Sequence, residues 1–228
     1  MVKTVASQLK DWANKIWRRK AIGSFLLVAA ISAGCGSVPQ THYYTLRTPP
    51  PPGAPQARTN FVLQVEQFDA PEMLRDDRIV YYKSPTELNF YQYHRWSTDP
   101  AALLSELAVK YFAETGLFKA VYAYPAPVHA DYTLQGRLLN FAEMSYEKSA
   151  NAKAGKGRVG LALDLVRNRD NRVVWSTRKE NEVPIEKKGM PGVVDALNAA
   201  SQELFRDAYS GVAGVLEHET AQEQGQSH

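Results

Sequence analysis

One cysteine, Cys35, stands in the 228-residue sequence, directly behind a charge-free apolar run at 21–33. With a single thiol the chain has no internal disulfide framework, so whatever folds must be held by an ordinary hydrophobic core. The 44% hydrophobic content supplies one and excludes wholesale disorder. At 13 residues the apolar run is short of the ~20 that a membrane-spanning helix requires. Basic residues precede it and small residues close it, which reads as a secretory signal. Residues 1–34 are therefore set apart as a signal peptide.

Charge supports that division. Lys3, Lys10, Lys15, Arg18, Arg19 and Lys20 against Asp11 give residues 1–34 a net +5, leaving 21 basic and 23 acidic residues, net −2, for the remainder. The overall +3 thus belongs to the leader, and the body lacks the basic footprint of a nucleic-acid binder. Ser32-Ala33-Gly34-Cys35 resembles the bacterial lipoprotein signal, although Ser32 stands where that family usually has Leu. The resemblance implies that Cys35 becomes the mature N-terminus and carries a diacylglycerol thioether and an N-acyl chain, with no other cofactor. Several acyl chains make such an anchor stable. Gly36, in place of an inner-membrane-retaining Asp, implies the outer membrane with the body facing the periplasm.

Residues 35–60 read as a lipidated, Pro-rich tether. Pro49, Pro50, Pro51, Pro52 and Pro55 favour an extended polyproline spacer of roughly 20 Å over 49–55. Tyr43-Tyr44-Thr45-Leu46 interrupts it as an apolar island with strand character, able to dock on the body. The body, 61–214, reads as one mixed α/β (α+β) domain, a mixed sheet packed with two main helices. Strands are expected at 61–68, at 78–83 and 88–96 as a hairpin turning at Ser84-Pro85-Thr86, at 117–122, 132–138, 159–165 and 173–177. Asp99-Pro100 caps a helix that Gly116 ends, and a second helix is expected from about 191 to 209. Residues 215–228 read as a disordered tail.

Catalytic patterns are scarce. His42, His94, His129, His218 and His228 have no zinc-protease spacing, and there is neither a nucleophile elbow nor a phosphate loop. Gly155-Lys-Gly-Arg-Val-Gly160 matches the dinucleotide fingerprint in letters, but it precedes a strand instead of following one, and reads as a flexible hairpin loop. Asp76-Asp77 beside Arg75 and Arg78 read as solvated turn charges. No enzyme, metal site or cofactor site is expected. The densest unusual feature is aromatic: Tyr81, Tyr82, Phe90, Tyr91, Tyr93 and Trp96. Alternation places Phe90 and Trp96 on one face and Tyr91 and Tyr93 on the other. With Arg95 on the rim, Tyr91, Tyr93 and Trp96 are the candidate partner-binding strip.

The lipoprotein signal, the Tyr43-Tyr44-Thr45-Leu46 island, Ile79-Val-Tyr-Tyr-Lys-Ser-Pro85 and Tyr93-His-Arg-Trp96 occur in an order that resembles the ABC-type transport auxiliary lipoproteins, the PqiC-like group. Lys83 stands where the family often has Arg. The resemblance implies a non-catalytic adaptor at the outer membrane whose partners are an MCE-domain protein and, through it, an inner-membrane ABC transporter moving lipid across the envelope. A homo-oligomer is a further expected partner. The alternatives are a periplasmic lipid-binding lipoprotein, or a structural lipoprotein of outer-membrane assembly.

Overall fold

The computed structural model describes residues 39–50, 59–146 and 155–226. Thr41–His228 form the second of two units into which the chain divides. Cys35, the expected signal peptide and Pro51, Pro52 and Pro55 lie outside the described residues. The second unit runs β1 (His42–Tyr44), β2 (Val62–Val65), a 3-10 turn (Glu72–Leu74), β3 (Arg78–Ser84), β4 (Glu87–Trp96), α1 (Pro100–Thr115), β5 (Ala120–Ala123), β6 (Tyr132–Met144), β7 (Lys156–Arg167), β8 (Arg172–Pro184) and α2 (Met190–Gln226). Eight strands form one mixed sheet, packed with two helices, as the patterning predicts.

The long strands β6, β7 and β8 form an antiparallel meander. The other edge of β6 is shared. Near its start it pairs with β2 in parallel, Leu63 opposite Tyr132. Near its end it pairs with β3, also in parallel, Val80 opposite Ala142. Between them Asp69 bridges to Arg137, its N–H donating to Gly136 O at 2.9 Å and its O accepting from Leu138 N at 2.7 Å. The chain therefore follows one edge of β6, detours through the 3-10 turn, and returns. β5 lies outside β2, and β4 outside β3.

β1 closes the far end, pairing in parallel with the end of β4. This changes the organisation expected around the tether. The Tyr43–Tyr44 island is an edge strand of the body, and the prolines of 49–55 lie in the connection between β1 and β2, downstream of the first strand. Beyond β1, the Arg47 N–H donates to Asn198 Oδ1 on α2 at 2.7 Å, and Gln202 Nε2 donates to Arg47 O at 3.2 Å.

α1 begins as its sequence dictates: Asp99 accepts from the Ala102 N–H at 2.9 Å, Pro100 occupies the first turn, and Gly116 ends it at φ 66°. α2 continues well past 209. Its apolar stripe of Leu197, Leu204, Ala208, Val212 and Leu216 stays buried, and Glu219 reaches Arg167 on β7. Residues 215–226 are therefore helix, in place of the expected disordered tail. The two helices meet through Tyr111 and Phe205, whose rings lie 6.1 Å apart. From Lys156 onward the glycine-rich segment belongs to strand β7 rather than to a loop. Gly157 faces α2 so closely that a Cβ there would lie 2.9 Å from the Leu197 nitrogen.

Candidate functional site

The predicted aromatic strip lies on β4, but alternation fails along it. Val80 pairs with Phe90 and Arg78 with Arg95, so four residues, Tyr91 to His94, stand opposite the single residue Ile79. A bulge of this size re-aims side chains and breaks the period of two. After it, His42, Tyr44, His94 and Trp96 share one side of the β1–β4 pair, while Tyr43 lies in register with Arg95 on the other.

Each predicted residue then has its place. Trp96 is 1% exposed and packs its ring 5.0 Å from Phe141. It is a core residue, which removes it from any contact strip. Tyr91 is half-buried, and its hydroxyl donates to Glu143 Oε2 at 2.5 Å. Burial, followed by that hydrogen bond and the carboxylate's charge, holds the Tyr91 phenol well above its ordinary pKa. Arg95 is ion-paired with Asp77. Tyr93 remains partly exposed, two residues before Arg95 and just ahead of the His94–Trp96 stretch that pairs with β1. The strip therefore separates into a buried tryptophan, two residues engaged within the fold, and Tyr93.

Sequence reasoning missed what surrounds them. Glu143, 7% exposed, accepts from the Tyr91 hydroxyl and from Ser145 Oγ at 3.1 Å. His42 stacks on His94 with centroids 5.5 Å apart, and the Tyr44 hydroxyl shares a 3.0 Å hydrogen bond with His94 Nδ1. Burial, then the neighbouring His42, lowers the His94 pKa. These contacts fasten β1 onto β4 and offer packing and hydrogen bonding, not a nucleophile with a base. Tyr43, on the other side, is 64% exposed. The period-two placement of Tyr43 and Tyr44 in the island was the signal available for it. The Asp76-Asp77 turn is charged and ion-paired: Arg78 binds Asp76 at 2.8 Å and stacks its guanidinium 4.1 Å from the Phe90 centroid.

A second feature lies towards the other end of β6. Val65, Ala102, Val109, Ala123 and Tyr124 line an open groove of ≈ 380 Å³ between α1 and strands β2 and β5, with Glu106 and Lys110 at its rim. Tyr124 and Val128 are exposed beside it. Its size falls in the range of small-molecule pockets. Among the described residues no three His, Cys, Asp or Glu side chains are grouped to hold a metal.

Comparison with solved structures gives the same fold. The protein XCC0632 from Xanthomonas campestris, of the DUF330 family model, is 21% identical, with a TM-score of 0.66 over 80% of this chain and 99% of its own. A second, uncharacterized protein is 15% identical, with a TM-score of 0.59 over 76% of this chain and 99% of its own. No curated protein matches the sequence. The family model described as the ABC-type transport auxiliary lipoprotein component matches residues 44–208, from β1 into α2, and the chain belongs to that family.

Proposed function

We propose that the protein is a non-catalytic adaptor of an MCE-type lipid transporter, held in the outer membrane by acyl chains on Cys35 and facing the periplasm. The observation that carries this reading is the transport-auxiliary family match over 44–208, which begins nine residues after Cys35. The MCE-domain protein and, behind it, the inner-membrane ABC transporter are the partners. Contact falls on the α1–β5 groove and the exposed Tyr124, because β2 and β5 lie eight residues of β6, about 26 Å, from the β3–β4–β1 end near the anchor. A ring of several copies is compatible with this arrangement.

Affinity purification of the lipidated full-length protein from gently crosslinked membranes, followed by mass spectrometry, tests the reading. Recovery of an MCE protein with its ABC subunits, lost on Val109→Asp, supports it. Recovery of an outer-membrane barrel alone sinks it. The groove also favours a second reading, in which it takes one acyl chain itself. Solvent extraction of the purified protein would then yield stoichiometric lipid, and Val109→Asp would remove that lipid.

A further inference from the structure

We infer that the β3–β4 hairpin, with Tyr43 beside it, is the foot on which the body stands on the lipid leaflet; this rests on acylation of Cys35. The argument is one of reach. From His42 back to Cys35 are seven residues, which span at most about 25 Å in any conformation. A body of about 170 residues has a radius of gyration of roughly 15 Å, and so measures about 40 Å across. The leash is shorter than the body, so the membrane must lie near the edge where β1 enters the fold.

The direction of entry selects the part that touches. β1 runs parallel to β4, so the chain arrives from the side of the β3–β4 turn. Arg78 stands opposite Arg95, next to the His42–His94 pair. From Arg78 to Ser84, β3 advances about 20 Å, most of the leash's maximal length. The turn therefore reaches the leaflet when the leash is drawn out, and Tyr43 follows when the body leans.

The surface suits a bilayer interface. Leu88 is 37% exposed at the hairpin end, Pro85 and Thr86 are exposed, and Lys83 and Glu87 neutralise each other at 3.5 Å. Tyr43 presents a phenol ring of the kind that settles at headgroup level. The partner is thus a phospholipid leaflet contacted through apolar and tyrosine side chains rather than through a basic patch.

The test uses full-length lipidated protein in phosphatidylethanolamine–phosphatidylglycerol vesicles. Leu88→Cys provides one free thiol for an environment-sensitive fluorophore, since Cys35 is blocked by its thioether. Val173→Cys on β8, at a residue 51% exposed, is the control. Brominated lipid should cut emission at position 88 and leave position 173 unchanged. Equal quenching at both positions, or none at 88 in protein that floats with the vesicles, overturns the foot. Should Leu88→Cys misfold, Thr86→Cys at the exposed turn reads the same contact. Protein whose Cys35 carries no acyl chain by mass, and which does not float, overturns the anchor and the foot with it.

Discussion

Trp96 separates two accounts of the aromatic segment, because a contact residue and a core residue respond differently to truncation. Its ring is 1% exposed against Phe141, and truncating such an aromatic to alanine costs about 3–5 kcal/mol. One term reduces the cost: Trp96 Nε1 is buried without a hydrogen-bond partner, and removing an unpaired buried donor returns part of its desolvation penalty, about 1–3 kcal/mol. Trp96→Ala should therefore destabilise by about 2–3 kcal/mol. With a urea slope of about 2 kcal/mol per molar, the midpoint should fall by about 1–1.5 M. Trp96→Phe keeps a ring and removes the orphan donor, so its loss should stay within about 1 kcal/mol. Tyr93→Ala, at the partly exposed edge, should cost less than Trp96→Ala. Urea unfolding followed by far-ultraviolet circular dichroism measures all three. A Trp96→Ala loss no larger than that of Tyr93→Ala would refute the core assignment.

Three further perturbations probe other joints. The folded-state pKa of His94 is depressed by burial and by His42, so the unfolded chain binds its proton more readily; the associated stability is present above the unfolded value near 6.5 and is lost as pH falls towards the folded value. Stability measured from pH 7 to 5 should fall less steeply in His94→Asn than in the parent, and equal slopes would discount the histidine. Truncation after Gly211 removes buried Val212 and Leu216 and leaves Arg167 without Glu219; a loss of at least ~2 kcal/mol in chemical unfolding is expected. Gly157→Val drives a side chain into the α2 backbone and should cost about 1–3 kcal/mol, seen as a lower melting temperature; an unchanged midpoint would mean that the helix yields freely.

Local chemistry was readable where each residue carried its own instruction. Asp99-Pro100 and Gly116 bound α1, Ser84 Oγ accepts from the Glu87 N–H at 3.0 Å in the predicted turn, and Asn171 takes the positive φ of the β7–β8 connection. The extent of β8 was less legible: the expected strand stops at 177, whereas β8 runs on through Arg178 to Glu182, charges that an edge strand carries at no cost to the core. Long-range facts left no local trace. β1 meets β4 across some fifty residues, and the Tyr91–His94 bulge lies just before that junction. Hence the aromatic strip looked like a surface: a period of two was applied across a segment that does not keep it. The helical end from 212 was hidden for a different reason, since Val212 and Leu216 are sparse apolar positions among polar ones whose role appears only with β7 beside them.

The parallel pairing of β1 with β4 also fixes how the molecule bears load. If Cys35 is acylated and a partner holds the β5 end, as proposed above, tension between them would enter through the N-terminus of β1, along the strand axis. The hydrogen bonds to β4 lie across that axis, and so are strained together in shear instead of being opened one after another like a zipper. The Tyr44–His94 bond and the Arg47 contacts to α2 lie behind the same strand and share the pull. A three-residue strand that would be a weak element in a peeling geometry thus becomes a joint that resists a pull along its own axis.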